Sequence, residues 1–529
     1  MIVVRLVNFI KLIGGAEMIT LKNLVAFLEG KRYLKGIFAP NGAAIESYFG
    51  VEIHDCCHNS KKVTRGSLFA CIKGSKFDGH EYSQEACKNG ACAILADRPV
   101  KADVPYIMVD SVREILGEVA SAIWGMPSEK LIMMAVTGTN GKTTTTYMVR
   151  SILEEAGIRT GLLGTVVYDD GKNISEASRT TPEASDIQRL LANMIKNDCK
   201  ACVMEASSHG IAQGRLNGCS YDVAIFTNLT PEHLDYHGDM ESYFKTKSTL
   251  FTSFMKKGKT GFIVNGDDEY GRKLIDKYRD RVISFTMKEL VPDGKDYLRA
   301  LIKKMNLLGT PVEVKSSIEK YDGIVVNIPI IGEYNVANAL GAIGAAAFLG
   351  IDANFVVNGI NNMGNVPGRL EKYMFKNGPT AVIDYAHTPD ALEKALGALR
   401  KICNGKLWVI FGLGGNRYQA NRPIMGEVAS KMADRVIITS DNPRGEDPYQ
   451  IAMQIKEGAD RIGSAPVDII LDRKEAVFSA LDSAAENDIV LIAGKGPERN
   501  IIYADRVIPY NDGEAVEEWG TLRGREKWS

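Results

Sequence analysis

The chain alternates short runs of consecutive apolar residues with longer segments in which apolar residues recur every three or four positions. A short apolar run bounded by Gly, Pro, Asn or Asp is typical of a buried strand, and the longer period is typical of an amphipathic helix. Strands and helices therefore alternate almost throughout, which predicts parallel sheets covered by helices on both faces. The predicted fold class is α/β.

The length of 529 residues is too great for one hydrophobic core and predicts three domains. Linker-like breaks fall at residues 125–127 and 365–368. We therefore predict a smaller N-terminal α/β domain over residues 18–125, a central domain over residues 126–365 and a C-terminal domain over residues 366–529. The central sheet is expected to be parallel and P-loop ATPase-like, and the C-terminal domain Rossmann-like and doubly wound.

The strands and helices behind this division come from the apolar pattern. The predicted strands are residues 67–72, 91–95, 131–135, 202–205, 223–227, 261–264, 381–384, 407–411, 435–439 and 489–493. The clearest predicted helices are residues 145–155 and the alanine-rich segment 336–347. Ligands of such sheets bind at the carboxyl ends of the strands, so candidate functional residues are sought there.

Composition excludes some function classes. A formal net charge of -1 gives no electrostatic case for nucleic acid or an anionic membrane, and 45% hydrophobic with 24% charged residues is ordinary for a soluble globular protein. Of the nine cysteines, only Cys199 and Cys202 have metal or redox spacing. They run into a strand-like segment, so we interpret them as buried thiols in a reducing, cytoplasmic compartment. Separately, we expect the protein to be a monomer.

The N-terminal 13 residues are apolar but interrupted by Arg5 and Lys11, and they are too short to span a bilayer. The segment that starts at Met18 is typical of an opening helix. One interpretation is that residues 1–17 result from a misassigned start codon.

A strand, a glycine loop and a helix predict a phosphate-binding loop at residues 136–144. Gly138 and Gly141 would let the backbone approach phosphates, Lys142 would reach the β and γ oxygens, and Thr143 would ligate Mg²⁺. Val136 occupies the place of the usual first glycine, so the loop is expected to be short and tight. The alternative is an ordinary strand-turn-helix with chance glycines. The predicted ATP contacts are Thr137, Gly138, Thr139, Asn140, Gly141, Lys142, Thr143 and Thr144.

Two further strand ends carry polar residues. Glu205 ends one predicted strand, and His233 lies in the loop after the next. These two side chains could meet near the phosphate loop and serve a second cation, because phosphoryl transfer requires cations to neutralise the charge on ATP and its acceptor. The alternative is that the histidines only form hydrogen bonds within their loops.

Eight motifs in order resemble those of the Mur ligases of peptidoglycan synthesis, and among these the members that add the third amino acid. They are residues 137–143, 205–209, 228–238, 335–338, 368–371, 384–390, 412–417 and 441–444. The resemblance implies an ATP- and Mg²⁺-dependent, ADP-forming ligase that joins a diamino acid to UDP-N-acetylmuramoyl-L-alanyl-D-glutamate through an acyl phosphate. It also implies that the first domain holds the UDP-sugar, the second ATP and the third the amino acid.

The resemblance also assigns roles to individual residues. The implied catalytic residues are Lys142, Glu205, His233, Lys247 and Arg369, and the implied metal ligands are Thr143, Glu205, His233 and Lys247. Lys247, four residues after Tyr243, matches a lysine that CO₂ carbamylates. Asn335 and Asn338 match the adenine-side pair, and Asp384 matches a ribose or phosphate contact. Ser60 matches the nucleotide-sugar contact, and the muramoyl-dipeptide positions are matched by Thr180, Thr181, Ser207, Gln213 and Arg215.

The choice of amino acid is predicted from Arg444, which follows the predicted strand 435–439. Meso-diaminopimelate carries one more carboxylate than L-lysine, and a guanidinium binds such a group with two parallel hydrogen bonds. We therefore predict meso-diaminopimelate over lysine. By resemblance the pocket also contains Arg417, Asp441, Asn442, Pro443, Gly494 and Glu498. The alternative is that Arg444 is a turn residue paired with Glu446 or Asp447.

Departures from the family pattern leave other functions open. Glu232 and Asn416 stand where aspartate is usual, Glu333 where arginine or lysine is usual, and Pro497 where histidine is usual. The alternatives are an L-lysine-adding or otherwise diverged ligase, a related amide ligase of the folylpolyglutamate or cyanophycin type, and a non-catalytic UDP-sugar- or nucleotide-binding paralogue.

Overall fold

The structure is a computed structural model that describes residues 19–74, 77–290 and 294–527. Met18 and the residues before it, on which the start-codon interpretation depends, lie outside the described residues. The opening helix is Leu21–Lys31, and its N-cap is Thr20, whose hydroxyl accepts a hydrogen bond from the backbone N–H of Asn23.

The chain divides into two compact units. The first contains the described residues up to Arg299 together with residues 316–320 and 340–356. The second contains residues 300–315 and 321–339 and the described residues from position 357 onward. Helix Glu333–Leu349 therefore begins in the second unit and ends in the first.

The first unit contains a small sheet and most of a larger one. The small sheet has the strand order Leu34–Phe38, Tyr106–Val109, Ala91–Ala96, Ser67–Ala70 and Asp55–Cys57. Only its first pair is antiparallel. Strands Ile19–Thr20 and Glu52–Ile53 form a separate antiparallel ribbon. Helices Leu21–Lys31 and Val112–Ile123 bury their apolar faces in the core of this region.

Strand Ile132–Thr137 lies inside the larger sheet, between Ala201–Glu205 and Val223–Phe226, and it is parallel to both. The order across the first unit is Ile174–Glu176, Val167–Asp169, Thr160–Leu163, Ala201–Glu205, Ile132–Thr137, Val223–Phe226, Gly261–Asn265, Val282–Thr286 and the first residues of Asp296–Ile302. The chain thus passes from Ile132–Thr137 to one side of the sheet and later returns to its other side. The loop after this strand consequently lies where the strand order reverses, which is the usual ligand position in such sheets.

Helices cover the sheets of the first unit. They are Leu21–Lys31, Ser83–Lys88, Val112–Ile123, Lys142–Glu155, Ala184–Lys196, Ser208–Ala212, Leu234–His237, Met240–Ser248, Leu250–Ser253 and Glu269–Tyr278. Their buried apolar residues pack on the strands; Met133, Cys202 and Phe226 have no exposed surface.

The second unit is built on a sheet with the order Glu371–Met374, Thr380–Asp384, Ile489–Ala493, Leu407–Phe411, Arg435–Ile438 and Val467–Ile469. Only the first pair is antiparallel. Two antiparallel pairs lie outside this sheet, formed by Thr310–Ser316 with Val325–Ile328 and by Asn500–Ile502 with Val507–Pro509. The helices are Ala353–Asn361, which starts in the first unit, Pro389–Arg400, Asn421–Met432, Pro448–Ile462, Arg473–Ser483 and Asp512–Leu522.

The predicted α/β class is confirmed, and strands Leu407–Phe411 and Ile489–Ala493 have the predicted bounds. The antiparallel strands at the sheet edges, such as Leu34–Phe38, Ile174–Glu176 and Glu371–Met374, are additions that the pattern does not predict. Edge strands are short and mostly half-buried, so they lack a continuous apolar run. The residue boundaries of the three domains stay a prediction.

Two smaller expectations can be checked directly. Cys199 and Cys202 are buried free thiols, as interpreted from the sequence, and burial raises the pKa of Cys202 well above its usual value. None of the helices formed by the described ranges combines the length and apolar character needed to cross a membrane.

Candidate active site

The loop between strand Ile132–Thr137 and helix Lys142–Glu155 depends on two glycines. Gly138 has φ of +146° and Gly141 has φ of +86°, which side-chain-bearing residues rarely adopt. A Cβ atom at position 138 would lie 1.9 Å from Oγ1 of Thr227, at the end of the neighbouring strand. The close approach of these two backbone segments therefore requires glycine at position 138.

Residues after the neighbouring strand hold the loop in place. The backbone N–H groups of Thr139 and Asn140 donate to the backbone oxygen and to Oδ1 of Asn228, at 2.8 and 2.9 Å. The Thr227 hydroxyl donates to the Asn140 carbonyl at 2.6 Å. These bonds tie the loop to the end of the neighbouring strand. Val136, in the place of the usual first glycine, is a buried residue of strand Ile132–Thr137.

The start of helix Lys142–Glu155 is suited to a phosphate. Gly141 is its N-cap and makes no side-chain hydrogen bond, and a helix N-terminus that follows a glycine loop in this way is a common binding site for phosphate. Nζ of Lys142 donates to the carbonyl oxygens of Gly138 and Thr139, at 3.0 and 2.8 Å. Thr143 and Thr144 are buried at the same helix end. These features fit the triphosphate of ATP.

Lys247 is buried beside this loop. Its side chain is 1% exposed, Nζ donates to the Gly138 carbonyl at 2.8 Å, and it lies 4.7 Å from the ring centre of Tyr243. Burial, with a smaller effect from the Lys142 charge, lowers the pKa of Lys247 well below its usual value. Because Lys142 donates to the same carbonyl, two amino groups of like charge converge on one oxygen.

Glu205 is 1% exposed at the carboxyl end of its strand. Its Oε1 accepts from the backbone N–H of Thr165 at 2.8 Å, and its Oε2 accepts from the Thr165 hydroxyl at 3.0 Å. A Cβ on Gly164 would lie 2.5 Å from Oε1, so the Glu205 carboxylate can pack here only because residue 164 is glycine. The carboxylate is fixed by neutral donors, and its remaining lone pairs are suited to a hard cation.

His233 lies within a group of aromatic side chains. Its ring centre is 4.7 Å from that of His209 and 6.5 Å from that of Tyr243, and its φ is +56°. The His209 ring also contacts those of Tyr236 and His237. In the part of the chain that the structure describes, no three His, Cys, Asp or Glu side chains are grouped to hold a metal by themselves. The meeting of Glu205 and His233 stays a prediction.

Four residues expected to hold the muramoyl-dipeptide are connected by hydrogen bonds. The Thr181 hydroxyl lies 3.0 Å from the Ser207 hydroxyl and accepts from the Ser207 N–H. Arg215 donates to the Thr181 carbonyl at 2.9 Å and to Oε1 of Gln213 at 2.6 Å. The fifth residue, Thr180, is bonded to Thr165 instead, because its hydroxyl accepts from the Thr165 hydroxyl at 3.2 Å. The sequence motifs are therefore adjacent in space.

Ser60, the expected nucleotide-sugar contact, is 7% exposed. Its hydroxyl donates to Oε2 of Glu85 at 2.8 Å, and its carbonyl accepts from the Asn89 side chain at 2.9 Å. The hydroxyl proton is thus used within the protein, and a ligand at this position would have to donate to Ser60.

In the second unit, Arg444 is not paired with Glu446 or Asp447. Both oxygens of Glu446 accept from the buried Arg422, at 3.0 and 2.9 Å, and this contact lowers the pKa of Glu446. Asp447 caps helix Pro448–Ile462 instead. Arg444 donates to the carbonyl oxygens of Gly415 and Asn442, at 3.0 and 3.4 Å, and forms no ion pair with a described residue.

Other predicted pocket residues lie beside Arg444. A Cβ on Gly414 would contact both Arg444 and Arg417, at 2.6 and 3.6 Å, so the two arginines flank this glycine. A Cβ on Gly494 would lie 3.4 Å from Asp441. The side chain of Asn442 donates to Oε2 of Glu498 at 2.8 Å. Pro443 is buried, and its carbonyl oxygen would lie 1.8 Å from a Cβ on Gly415.

The remaining predicted contacts of the second unit are held by local hydrogen bonds. Asn335 donates to the Ile331 carbonyl at 2.7 Å and accepts from Asn338 at 2.8 Å. The carboxylate of Asp384 accepts from the backbone N–H groups of Leu370 and Ala386, both at 2.9 Å, and burial raises its pKa. Arg369 lies over the ring of Tyr385, 5.4 Å from its centre.

Comparison with known proteins agrees with this geometry. The profile described as "Mur ligase family, catalytic domain" matches residues 52–124, "Mur ligase middle domain" matches residues 136–346, and "Mur ligase, glutamate ligase domain" matches residues 368–496. The UDP-N-acetylmuramoyl-L-alanyl-D-glutamate--2,6-diaminopimelate ligase of Caldanaerobacter subterraneus is 39% identical, over 88% of this chain and 95% of its own. The chain belongs to the Mur ligase family. The resemblance stated from its motifs is thereby confirmed.

Two further relatives cover nearly the whole chain. A ligase of the same name from Halalkalibacterium halodurans is 37% identical over 90% of this chain and 96% of its own. A solved structure of a UDP-N-acetylmuramoyl-L-alanyl-D-glutamate--2,6-diaminopimelate ligase is 28% identical, with a TM-score of 0.65, over 96% of this chain and 99% of that chain.

The departures from the usual Mur ligase residues have local explanations. Asn416 adopts φ of +54°, a left-handed conformation that Asn and Asp both tolerate, and its N–H donates to Glu446. Glu333 forms an exposed ion pair with Lys401 at 2.7 Å. Pro497 packs on Gly368, where a Cβ would lie 2.5 Å from the proline ring. Glu232 lies 3.8 Å from the His233 ring nitrogen.

The sequence reasoning missed residues that support the site. Thr165 donates to both oxygens of Glu205. Arg422 donates to Glu446, which is therefore not paired with Arg444. Lys495 donates to Asn442 and Glu498. Lys495 could have been found, because it lies between Gly494 and Glu498, two residues predicted for the amino-acid pocket. Thr165 and Arg422 lie outside every motif, and nothing in their local sequence indicates these contacts.

We expect Gly138→Ala to destabilise the protein by about 1–3 kcal/mol and to abolish nucleotide binding, because the new Cβ meets Thr227 and strains the loop. The measurements are thermal unfolding and ATP titration. Gly157→Ala is the matched control, since Gly157 also has positive φ, +74°, but a Cβ there meets nothing within 4 Å. Equal losses in both variants would contradict the role given to Gly138.

Proposed function

We propose that this protein is an ATP-dependent, ADP-forming ligase that joins meso-diaminopimelate to UDP-N-acetylmuramoyl-L-alanyl-D-glutamate in peptidoglycan precursor synthesis. The observation that carries the proposal is the phosphate loop, in which the helix N-terminus behind Gly141 lies beside Lys142 and the buried Lys247. A binding module has no need for a second, desolvated lysine at this position. The two substrates are proposed because the relatives are named as ligases of UDP-N-acetylmuramoyl-L-alanyl-D-glutamate and 2,6-diaminopimelate.

The reaction has two stages. A carboxylate oxygen of the dipeptide attacks the γ-phosphorus of ATP, and the bond from that phosphorus to the β,γ-bridging oxygen breaks. ADP departs, and the dipeptide now carries an acyl phosphate. Two anions must approach each other in this step, and the ammonium of Lys142 and the guanidinium of Arg369 supply positive charge. In the second stage the amine nitrogen attacks the acyl carbon, the carbon–oxygen bond to phosphate breaks, and the nitrogen loses a proton as the amide forms.

The residues present fit Mg²⁺. We propose that the Thr143 hydroxyl holds one ion and that the Glu205 carboxylate, His233 and a carbamylated Lys247 hold a second; all of these ligands except His233 are the hard oxygen donors that suit Mg²⁺. When bound, Mg²⁺ neutralises charge on the phosphate oxygens. The protein orients its donors in advance, because Thr165 fixes Glu205 and the Gly138 carbonyl fixes Lys247.

The muramoyl-dipeptide is held by Thr180 and by the connected set formed by Thr181, Ser207, Gln213 and Arg215. Arg215 already donates to Thr181 and Gln213, and it lies 3.4 Å from Glu183, so its charge is balanced within the protein. Ser60 accepts from the nucleotide-sugar. Asn335, Asn338 and Asp384 contact the adenine and ribose side of ATP.

Arg444 supports the choice of diaminopimelate. Its guanidinium is half-buried and donates only to carbonyl oxygens among the described residues. A cation without a carboxylate partner among these residues is suited to a carboxylate of the ligand. Diaminopimelate has one on its far carbon, whereas lysine has only an ammonium there, which Arg444 would repel.

We expect Arg444→Ala to lower kcat/KM for meso-diaminopimelate by about 10–100-fold, which corresponds to one or two charge-assisted hydrogen bonds, and not to lower kcat/KM for L-lysine, whose ammonium is no longer repelled. Initial rates with each amino acid measure this ratio. Arg461→Ala is the control, because Arg461 is exposed and paired with Glu427 and Glu457. An unchanged preference in Arg444→Ala would show that another residue selects the amino acid.

The function itself is tested by incubating the protein with UDP-N-acetylmuramoyl-L-alanyl-D-glutamate, ATP and a panel of free amino acids, and by identifying products by mass spectrometry. We expect the diaminopimelate adduct and ADP to form together. Preferential ligation of L-lysine would identify a lysine-adding ligase. Absence of any product, with UDP-sugar binding retained, would identify a non-catalytic paralogue.

A further inference from the structure

Lys495 is a lysine whose side chain has no exposed surface, and it lies directly behind the predicted amino-acid pocket. Its Nζ donates to Oδ1 of Asn442 at 3.2 Å, to Oε2 of Glu498 at 3.1 Å and to the carbonyl oxygen of Asn500 at 2.7 Å. An ammonium has three protons, so these three acceptors use its donors completely. Lys495 therefore has no proton left for a ligand.

The same contacts divide the two oxygens of Glu498. Oε2 accepts from Lys495 and from Nδ2 of Asn442, at 3.1 and 2.8 Å. Among the described residues, Oε1 has no hydrogen-bond partner, and the side chain is 36% exposed. One oxygen thus belongs to the protein interior, and the other is left for solvent or a ligand.

Asn442 is oriented by the same group. Its Oδ1 accepts from Lys495 and from the backbone N–H of Ile502, at 3.2 and 3.0 Å, so its Nδ2 must point toward Glu498. The strand that carries Ile502 also accepts a hydrogen bond from the N–H of Arg444, at 2.9 Å. Lys495, through Asn442 and Asn500, therefore connects Glu498 to the segment that holds Arg444.

We propose that Lys495 is a positioning residue for the diamino acid, which it orients through Glu498 without touching it. The buried ammonium holds Oε2 of Glu498 inward, and Oε1 is thereby presented to the distal ammonium of the incoming amino acid. This inference rests on the proposed function, since it assigns a role within the same pocket. A carboxylate free to rotate would be mostly hydrated and would bind the ammonium less well, because ordering it costs entropy.

The test uses Lys495→Met, Glu498→Gln and the double variant of the full chain, with initial rates measured as a function of each substrate. Lys495→Met removes the charge and keeps the length and packing of the side chain. We expect a rise of about tenfold or more in KM for meso-diaminopimelate, within the range of one lost charge-assisted hydrogen bond. KM for ATP and for the UDP-sugar should change by less than twofold, because Glu498 is not among the residues proposed to hold either of them.

The double variant separates positioning from general structural support. If Lys495 acts through Glu498, adding Lys495→Met to Glu498→Gln raises KM for the diamino acid no further. The proposal would be overturned if the KM increases of the two single variants multiplied in the double variant, or if affinity for all three substrates fell equally. If Lys495→Met does not fold, Lys495→Arg replaces it: its flat guanidinium keeps the charge but does not match three converging acceptors, and the same results are expected.

The wild-type protein distinguishes the two proposals. If it ligates no amino acid, the proposed function fails, whatever Lys495 does. If it ligates meso-diaminopimelate and Lys495→Met keeps the wild-type KM, the function stands and the positioning role of Lys495 is wrong.

Discussion

Replacing Lys142 with alanine is expected to lower the rate of ATP-dependent ligation by about 1,000-fold while leaving the fold intact. The range is that of removing one preorganised charge at a transferring phosphoryl group. The Lys142 ammonium donates to the loop carbonyls of Gly138 and Thr139, and the side chain is half-buried, so its removal leaves no core cavity. ADP formation with all three substrates present measures the effect.

Matched variants make this result specific to the phosphate loop. Lys172→Ala, at an exposed turn of the same unit, should keep wild-type turnover and the same melting temperature. Substantial turnover by Lys142→Ala would show that this loop does not hold the transferred phosphate. Loss of the folded state would show instead that the lysine bonds to Gly138 and Thr139 stabilise the loop.

The phosphate loop could be predicted from sequence because its physical requirements are local. Gly138 and Gly141 follow an apolar run, and the conformations they adopt are ones that other residues avoid. The partners that fix the loop could not be predicted. Thr227 and Asn228 are almost ninety positions away in the chain, and they meet the loop only because two parallel strands pair side by side.

The same distinction holds in the amino-acid pocket. The apolar residues before the motif 441–444 predict that it follows a strand, and strand Arg435–Ile438 ends just before it. The isolation of Arg444 from Glu446 depends on Arg422, which comes from a helix in another part of the chain. Local sequence favours the pairing of neighbouring charges, and tertiary contacts decide which charges actually pair.

Antiparallel edge strands show a further limit. Ile174–Glu176 is exposed at all three positions, and Glu371–Met374 is half-buried along its length. Neither has the run of apolar residues or the alternation by which strands are identified, because an edge strand needs only backbone pairing on one side. Central strands such as Ile489–Ala493 are buried at every position and are therefore visible in the sequence.

Replacing Lys247 with alanine is expected to lower turnover by about 100-fold or more, because we propose that its carbamate is a metal ligand. Carbamylation joins the neutral amine to CO₂ and releases a proton, and burial favours the neutral amine by lowering the pKa of Lys247. Lys142 and Lys247 donate to one carbonyl oxygen, that of Gly138. Converting one of the two cations into an anion replaces repulsion by attraction, while the carbamate keeps one N–H for that oxygen.

The modification is measured by ¹³C NMR of protein equilibrated with ¹³CO₂ at neutral pH. We expect a carbamate signal in the wild type that is absent from Lys247→Ala and present in Lys245→Ala. Lys245 is the matched control because it lies on the same helix, Met240–Ser248, and is exposed rather than buried. Short carboxylates should partly restore activity to Lys247→Ala by occupying the vacated space. A wild-type spectrum without the signal, together with full activity of Lys247→Ala, would make Lys247 a buried structural lysine.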